Sequence, residues 1–450
     1  MCDVCRRIQH CADVRAHRFC DSGVMGTDWR GAAPSREAAQ QERRGPKSRV
    51  LVRLRGLHLV LATMIGMLAL VVTPRLQHSG AATPALAACA NAADVQLEAD
   101  YIVASQYVKK NDRASGAINN VFGAPTWVVP RENAMAILGL VRASDCLGAS
   151  SYRQRAQQAA DYLVRMQASD GSWYDQYSYA APVVLSKSPT QTAEVMLALD
   201  RLGFSRSWYA AMMGGADFLV RLQDPTNKGG ADDGLLGGGL DSNGSYLRWR
   251  WTSDNSYGYQ ALKAAEKWAR TQGDAVRANR YAAASGRILN GINTRLKDPG
   301  SPVWYGAIDE NGVSTLIEHE WINYAPQMLD VPAAGVGAAV GSWIQAHLVN
   351  AATGAAVWND GSEADRLSPG YSFQACLVWL DTGQQTYCSS TSSWAAGSGL
   401  HQVTPDGNGV RGGWVDWVET GGASAPSWQR FIDSSAYYIL ATTGGYRFAP

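Results

Sequence analysis

From residue 92 onward, apolar residues recur at helical spacing in two alternating styles. One set of stretches covers 92–110, 151–168, 206–223, 274–297 and 333–349. Each keeps its apolar residues to one face, as in Ala160, Leu163 and Val164 or Phe218, Leu219 and Leu222. That pattern predicts outer helices with a single buried stripe. The second set starts near 131, 188, 253, 316, 369 and 428 and is apolar nearly all round: "AMAILGLV", "AEVMLALDRLG", "SYGYQALKAA", "FQACLVWL" and "SSAYYILATTG". A helix apolar on every side is buried on every side. The starts lie 57, 65, 63, 53 and 59 residues apart, the period of a helical-hairpin repeat. The expected fold is all-α, a toroid of six inner helices alternating with outer ones. The sixth outer helix must fall within 384–400, where Ser, Thr and Gly are poor helix formers.

The connections are unequal. Inner-to-outer links are short, as at 146–150 and 203–205, while outer-to-inner links span 111–130, 169–187, 224–252, 298–315, 350–368 and 384–427. In an alternating ring all the long links emerge on one face, where the inner helices begin. Loops of this length in a compact domain are usually functional. Trp127, Trp173, Trp249, Trp251, Trp304, Trp358, Trp414 and Trp417 lie in them, with Trp428 at the edge of the last. So do Asp170, Asp175, Asp232, Asp233, Asp360, Glu363, Asp365, Asp416 and Glu419. The expectation is a rim rich in tryptophan and carboxylate. Inner-helix N-termini aim free N–H groups and positive dipole ends at the same mouth.

The N-terminal quarter is different. Residues 1–55 form a basic tail with 12 of the 40 Lys and Arg and 6 of the 39 Asp and Glu, leaving 28 basic and 33 acidic residues, a net of −5, for the rest. A mildly acidic body argues against nucleic acid as partner. Residues 56–74 are apolar behind Arg49, Arg53 and Arg55. They read as an export signal or as a single membrane anchor that places the body outside. Residues 75–91 are a linker with an A-x-A site at Ala85-Leu86-Ala87 and a lipobox-like Leu86-Ala87-Ala88-Cys89. Cys2, Cys5, Cys11 and Cys20, with His10 and His17, have a spacing that matches no zinc module, so no metal or cofactor is expected. Cys376 and Cys388 are close enough in sequence to pair in an oxidising compartment. The body is expected to act as a monomer.

Six hairpins, "DGSWY" after an outer helix, "TSDNSYGYQALKAAEKWART" and "FIDSSAYYILATTGGY" together resemble the six-hairpin, (α/α)6-barrel glycosidase superfamily over residues 92–450. The resemblance implies a cleft at the inner-helix N-termini and a carbohydrate substrate, cleaved by hydrolysis or by β-elimination. A second resemblance, of "YLVRMQASDGSW" to the Q-W repeat of terpene cyclases, lacks the D-x-D-D or D-D-x-x-D motif that cyclases need. A non-catalytic glycan-binding module is the remaining alternative.

Hydrolysis of a glycoside usually needs one carboxylic acid and one carboxylate. Asp254 and Glu320 are the first choice, with Glu318 and Asp433 in reserve; all four fall at predicted inner-helix starts. In "LIEHEWIN" (316–323) Glu318 and Glu320 are expected to be helical, hence about 200° apart around the axis, so that only one faces the cleft. Trp173, Trp251, Trp304, Trp321, Trp358, Trp414 and Trp417 are the expected sugar-stacking platforms. Tyr257, Asn255, Glu132 and Asp170 complete the expected binding set, and Asn133, Gln191 and Asn323 offer further amide forks for hydroxyls. A lyase would instead use His319, Tyr257 or Tyr324 with Arg131 or Arg250.

Overall fold

The computed structural model describes residues 89, 91–121, 127–228, 233–315, 318–404, 406, 410–421 and 430–445. The basic tail, the apolar segment 56–74, most of the linker, Asp232 and Trp428 lie outside the described residues. No helix among the described residues is long and apolar enough to cross a membrane.

Among the described residues twelve helices alternate between an outer and an inner ring. The outer ones are α1 (Ala92–Ala104), α3 (Ser150–Met166), α5 (Tyr209–Leu222), α7 (Ala275–Gly291), α9 (Ala338–His347) and α11 (Gln385–Gly397). The inner ones are α2 (Pro130–Leu147), α4 (Pro189–Leu202), α6 (Thr252–Thr271), α8 (Ala325–Met328, led by a 3-10 turn Trp321–Tyr324), α10 (Pro369–Asp381) and α12 (Ile432–Thr442). Each inner helix packs on the next, and α12 packs on α2, so the ring is closed. Small residues allow the closure: a Cβ on Gly139 of α2 would sit 3.0 Å from the Ala436 Cα of α12.

Local chemistry starts the inner helices. Pro130, Pro189 and Pro369 stand in their first turns, where a missing N–H costs nothing. Ser188 and Ser368 cap their helices by accepting from the Gln191 and Tyr371 amides. The sixth outer helix, α11, forms despite its composition. Its Ser389, Ser390 and Ser393 hydroxyls bond back to carbonyls four residues earlier. Tertiary ties hold it: Thr391 reaches the Gly354 carbonyl, and Cys388 is joined to Cys376 of α10.

Three features depart from expectation. The fourth inner helix does not begin at Glu318. Residues 318–320 are irregular, the helix is two turns long, and the chain leaves it through Asp330 at φ 53° and Pro332. The mouth loops are not plain coil but contain short antiparallel strands that sew one loop to another. Arg250–Trp251 pairs with Ala307–Ile308, which pairs with Ser314–Thr315, and Arg366–Leu367 pairs with Val418–Glu419. Finally, Cys89 pairs with Cys146, fixing the start of α1 to the end of α2. A lipobox cysteine carries its lipid on that same sulfur, so this disulfide and lipidation exclude each other.

Candidate active site

The first two turns of four inner helices bring a largely buried polar cluster to one side of the mouth. From α2 come Arg131 and Glu132, from α4 Thr190, Gln191 and Glu194, from α6 Asp254 and Tyr257, and from α12 Asp433 and Tyr437. The loop between α3 and α4 adds Asp175.

Hydrogen bonds tie these elements together. Arg131 donates from Nε (3.0 Å) and Nη2 (2.9 Å) to Glu132 Oε1, and Glu132 is only 3% exposed. The Arg131 amide donates to Gln191 Oε1 at 2.7 Å, and Gln191 Nε2 donates to the Asp175 carbonyl at 3.3 Å. Asp175 accepts from the Ser186 hydroxyl and from the Ser188 amide. Asp254, 6% exposed, accepts from the Thr190 hydroxyl. The Tyr257 and Tyr437 hydroxyls lie 3.5 Å apart. Glu194 Oε2 and Gln374 Oε1 are buried with no hydrogen-bond partner among the described residues. Such atoms in a native structure call for a water or a ligand.

The electrostatics separate these groups by role. Burial pushes the Asp254 carboxyl up to about 7, and Asp175 adds to it, against the Thr190 bond and Arg131. Burial, with Glu132 and Asp254, pushes Glu194 up to about 8 against Arg131 and Tyr257. Asp175 is raised by burial too. Burial works against the Arg131 charge, but Glu132, Glu194 and Asp433 outweigh it and hold the guanidinium above its ordinary value. Burial, then Glu194, also drives Tyr257 and Tyr437 well above theirs. The mouth therefore holds protons at neutral pH next to a fixed ion pair. That combination suits general acid catalysis. Among the described residues no group of three His, Cys, Asp or Glu side chains is placed to hold a metal ion.

Asp254, Tyr257, Glu132 and Asp433 thus fall in one cluster. Glu320 and Glu318 stand elsewhere, and the 200° argument does not apply to them because neither is helical. Glu320 is the N-cap of the short fourth helix. Its side chain accepts from the Asn323 amide, while its own amide donates to Asn323 Oδ1 at 3.0 Å. Glu318 is exposed and accepts from the Ser362 amide (3.0 Å) and hydroxyl (2.9 Å), lying over Gly361, where a Cβ would collide with it. His319 is held through Nδ1 by Asp360 at 2.5 Å.

The tryptophans divide as well. Trp173, Trp304 and Trp414 are buried, so their rings offer no face to a sugar. Trp173 donates to the Leu163 carbonyl at 2.7 Å, and Trp414 stacks on His401 at 4.1 Å. Trp251, Trp321, Trp358 and Trp417 are half-buried. Trp251 stacks on Trp249, and Trp358 and Trp417 lie near the Arg366 guanidinium, at 5.8 and 4.7 Å from ring centre. Asp170 sits at a turn, bonded to Lys187 at 2.8 Å and to Ser172.

The amide forks serve the fold. Asn133 binds the Ile118 amide and carbonyl. Asn255 binds the Leu236 amide and the Trp251 carbonyl. Asn323 binds the Glu320 amide and the Trp304 carbonyl. The same device fastens a mouth loop at three inner-helix starts, so these amides are not available to a substrate. Sequence reading passed over Glu194 and Tyr437 because each lies in a string read as apolar all round. The available signal was Glu194 inside the apolar run of "AEVMLALDRLG", since Glu is almost never buried without a reason.

No family model and no curated protein matches the chain. Solved structures do. A D-mannose isomerase aligns with a TM-score of 0.52 at 13% identity, over 77% of this chain and 96% of its own. A cellobiose 2-epimerase from Bacillus thermoamylovorans B4167 aligns at 0.55 and 10% identity, over 77% and 98%. A wild-type glycosidase aligns at 0.56 and 13% identity, over 79% and 96%. The likeness is to the (α/α)6 toroid, and it confirms the six-hairpin fold.

Proposed function

We propose that the protein is a glycoside hydrolase acting on a poly- or oligosaccharide, with Asp254 as proton donor and Asp433 as the second carboxylate. The observation that carries this reading is the Asp254 carboxyl, buried at an inner-helix N-terminus and held protonated near neutral pH by its surroundings. A donor must still hold its proton when the glycosidic oxygen needs it. Asp433 begins α12, which packs on α2, and its charge acts on Arg131 and Tyr437. It is half-buried and so open to water, as a water-activating carboxylate must be. The Arg131–Glu132 pair fixes the field between them. Half-buried Trp251, Trp321, Trp358 and Trp417 are the remaining stacking candidates, each worth about 1–3 kcal/mol by analogy with base stacking.

The sugar-active proteins that share the toroid support the substrate class. Two disulfides fit a body working outside the cytoplasm, delivered by residues 56–74 as signal or anchor. Asp254→Asn and Asp433→Asn, assayed by reducing-end release on a panel of glycans, test the assignment. Each is expected to lose at least about 100-fold in kcat, and full turnover by either variant refutes its role. Absorbance from an unsaturated uronate would indicate a lyase instead. A second reading is a sugar isomerase or epimerase, favoured by two of the aligned structures and by several proton-holding groups at one site. It would change the sugar without shortening the chain.

A further inference from the structure

We infer that a cationic groove on the outer wall of the rim, lined by Lys109, Lys110, Arg113 and Arg165, docks the anionic groups of a glycan chain. The groove is an open depression of about 490 Å³ between the loop that follows α1 and the C-terminal half of α3. Outer helices run toward the mouth, so Arg165, near the end of α3, places the groove on the mouth side.

The loop is built to hold its charges in place. The Tyr107 amide donates to the Ala117 carbonyl and the Gly116 amide returns to the Tyr107 carbonyl, closing the loop at its base. Asp112 sits inside it, accepting from the Tyr107 hydroxyl at 2.7 Å and the Ala114 amide at 2.9 Å. Gln106 Nε2 fastens the loop to the Arg155 carbonyl of α3 at 3.0 Å. Arg165 reaches across to the Ser115 and Arg113 carbonyls, and Arg113 donates back to the Arg165 carbonyl. These bonds use carbonyl acceptors and leave both guanidinium groups without an ion pair among the described residues.

Two carboxylates line the same groove, and both have other partners. Asp112 is engaged as above, and Asp161 accepts from Trp208 Nε1 at 2.8 Å. Lys109 and Lys110 are exposed at the lip; Lys109 acts on the Asp112 carboxylate through charge alone, without a close ion-pair contact. Four cations against two carboxylates leave the groove with a net charge of +2, on a body whose net charge is −5, which favours anions there. The one arginine of the mouth cluster, Arg131, is already paired with Glu132 and offers an anion no free charge. A chain that satisfies both sites presents a neutral sugar to the mouth and carries carboxylate or phosphodiester groups further along. The choice of a glycan over other polyanions rests on the function proposed above.

The test is binding, measured with the full chain and its Asp254→Asn variant so that no turnover is required. Polygalacturonate, phosphomannan and neutral dextran are compared at low and high salt. Lys109→Glu/Lys110→Glu is set against Arg206→Glu/Arg248→Glu, which changes net charge equally at exposed sites elsewhere. The expected result is binding of an anionic glycan but not dextran, falling steeply with salt. It should weaken at least tenfold in the lysine variant and less than threefold in the control. Preference for polygalacturonate or for phosphomannan identifies carboxylate or phosphodiester as the recognised group. Equal loss in both variants, equal binding of dextran, or tighter binding of duplex DNA or anionic vesicles overturns the proposal. Failure of hydrolysis with this binding intact would reject the catalytic reading alone.

Discussion

The two halves of the mouth carry similar residues and differ in what surrounds them. On the side of α2, α4, α6 and α12, carboxyls are buried around one arginine, and Asp254 and Glu194 are displaced toward and past neutrality. On the side of α8 and α10, Glu318, Glu320 and Glu363 meet local partners: a serine hydroxyl and amide, a helix cap, and Arg366. Both sets come from inner-helix starts or from the loops that lead to them. Burial without full compensation belongs to the first, and burial is what moves a proton affinity by several units.

The largest expected effect is on turnover. Asp254→Asn should lower kcat by ~10²–10⁴, whereas Glu318→Gln, changing an exposed carboxylate bonded only to a loop, should stay within about threefold of wild type in rate, by the usual mildness of surface changes. A large loss in Glu318→Gln would erase the distinction between the halves. Next comes a change in the fold with no change in chemistry. Trp173→Ala should cost about 3–5 kcal/mol of stability, read as a lower denaturation midpoint, because the ring is core. A stable variant with weakened glycan binding would return Trp173 to the rim.

The third effect is a pH dependence whose sign follows from the raised carboxyl. Folding holds the Asp254 proton, so between its ordinary 3.8 and about 7 the unfolded chain releases a proton that the native state keeps. Stability therefore declines as pH rises through that window, by at most about 4 kcal/mol at 1.36 kcal/mol per unit. Asp254→Asn should be more stable than wild type at pH 8 and gain nothing at pH 3, a contrast visible in melting temperatures. The smallest effect is at Glu320→Ala, where loss of the cap should cost about 1 kcal/mol and leave turnover near wild type.

Much of the ring was legible in the chain because the two helix types differ in how far around their axis they are apolar. Five outer helices and most inner starts follow from that alone. α11 was hard to read because its stability comes from a disulfide and tertiary contacts rather than from propensity. The fourth inner helix was overextended because "EHEWIN" has a helix-start pattern, and the capping box places Glu320 outside the helix as its cap. In the site, Asp254 was legible from its place in the repeat. The asparagines were misread because an amide fork that suits a sugar hydroxyl suits a loop amide and carbonyl equally well. Trp173, Trp304 and Trp414 were misread because long loops sewn together by short strands have a core of their own.

The central claim is that the fold keeps Asp254 protonated near neutral pH. The side-chain carboxyl carbons of the protein, labelled with ¹³C at aspartate and followed by NMR through a pH titration, test it directly, with the Asp254 signal assigned by its absence in Asp254→Asn. The expected midpoint is at about 7. A midpoint near the ordinary aspartate value of 3.8 would contradict it.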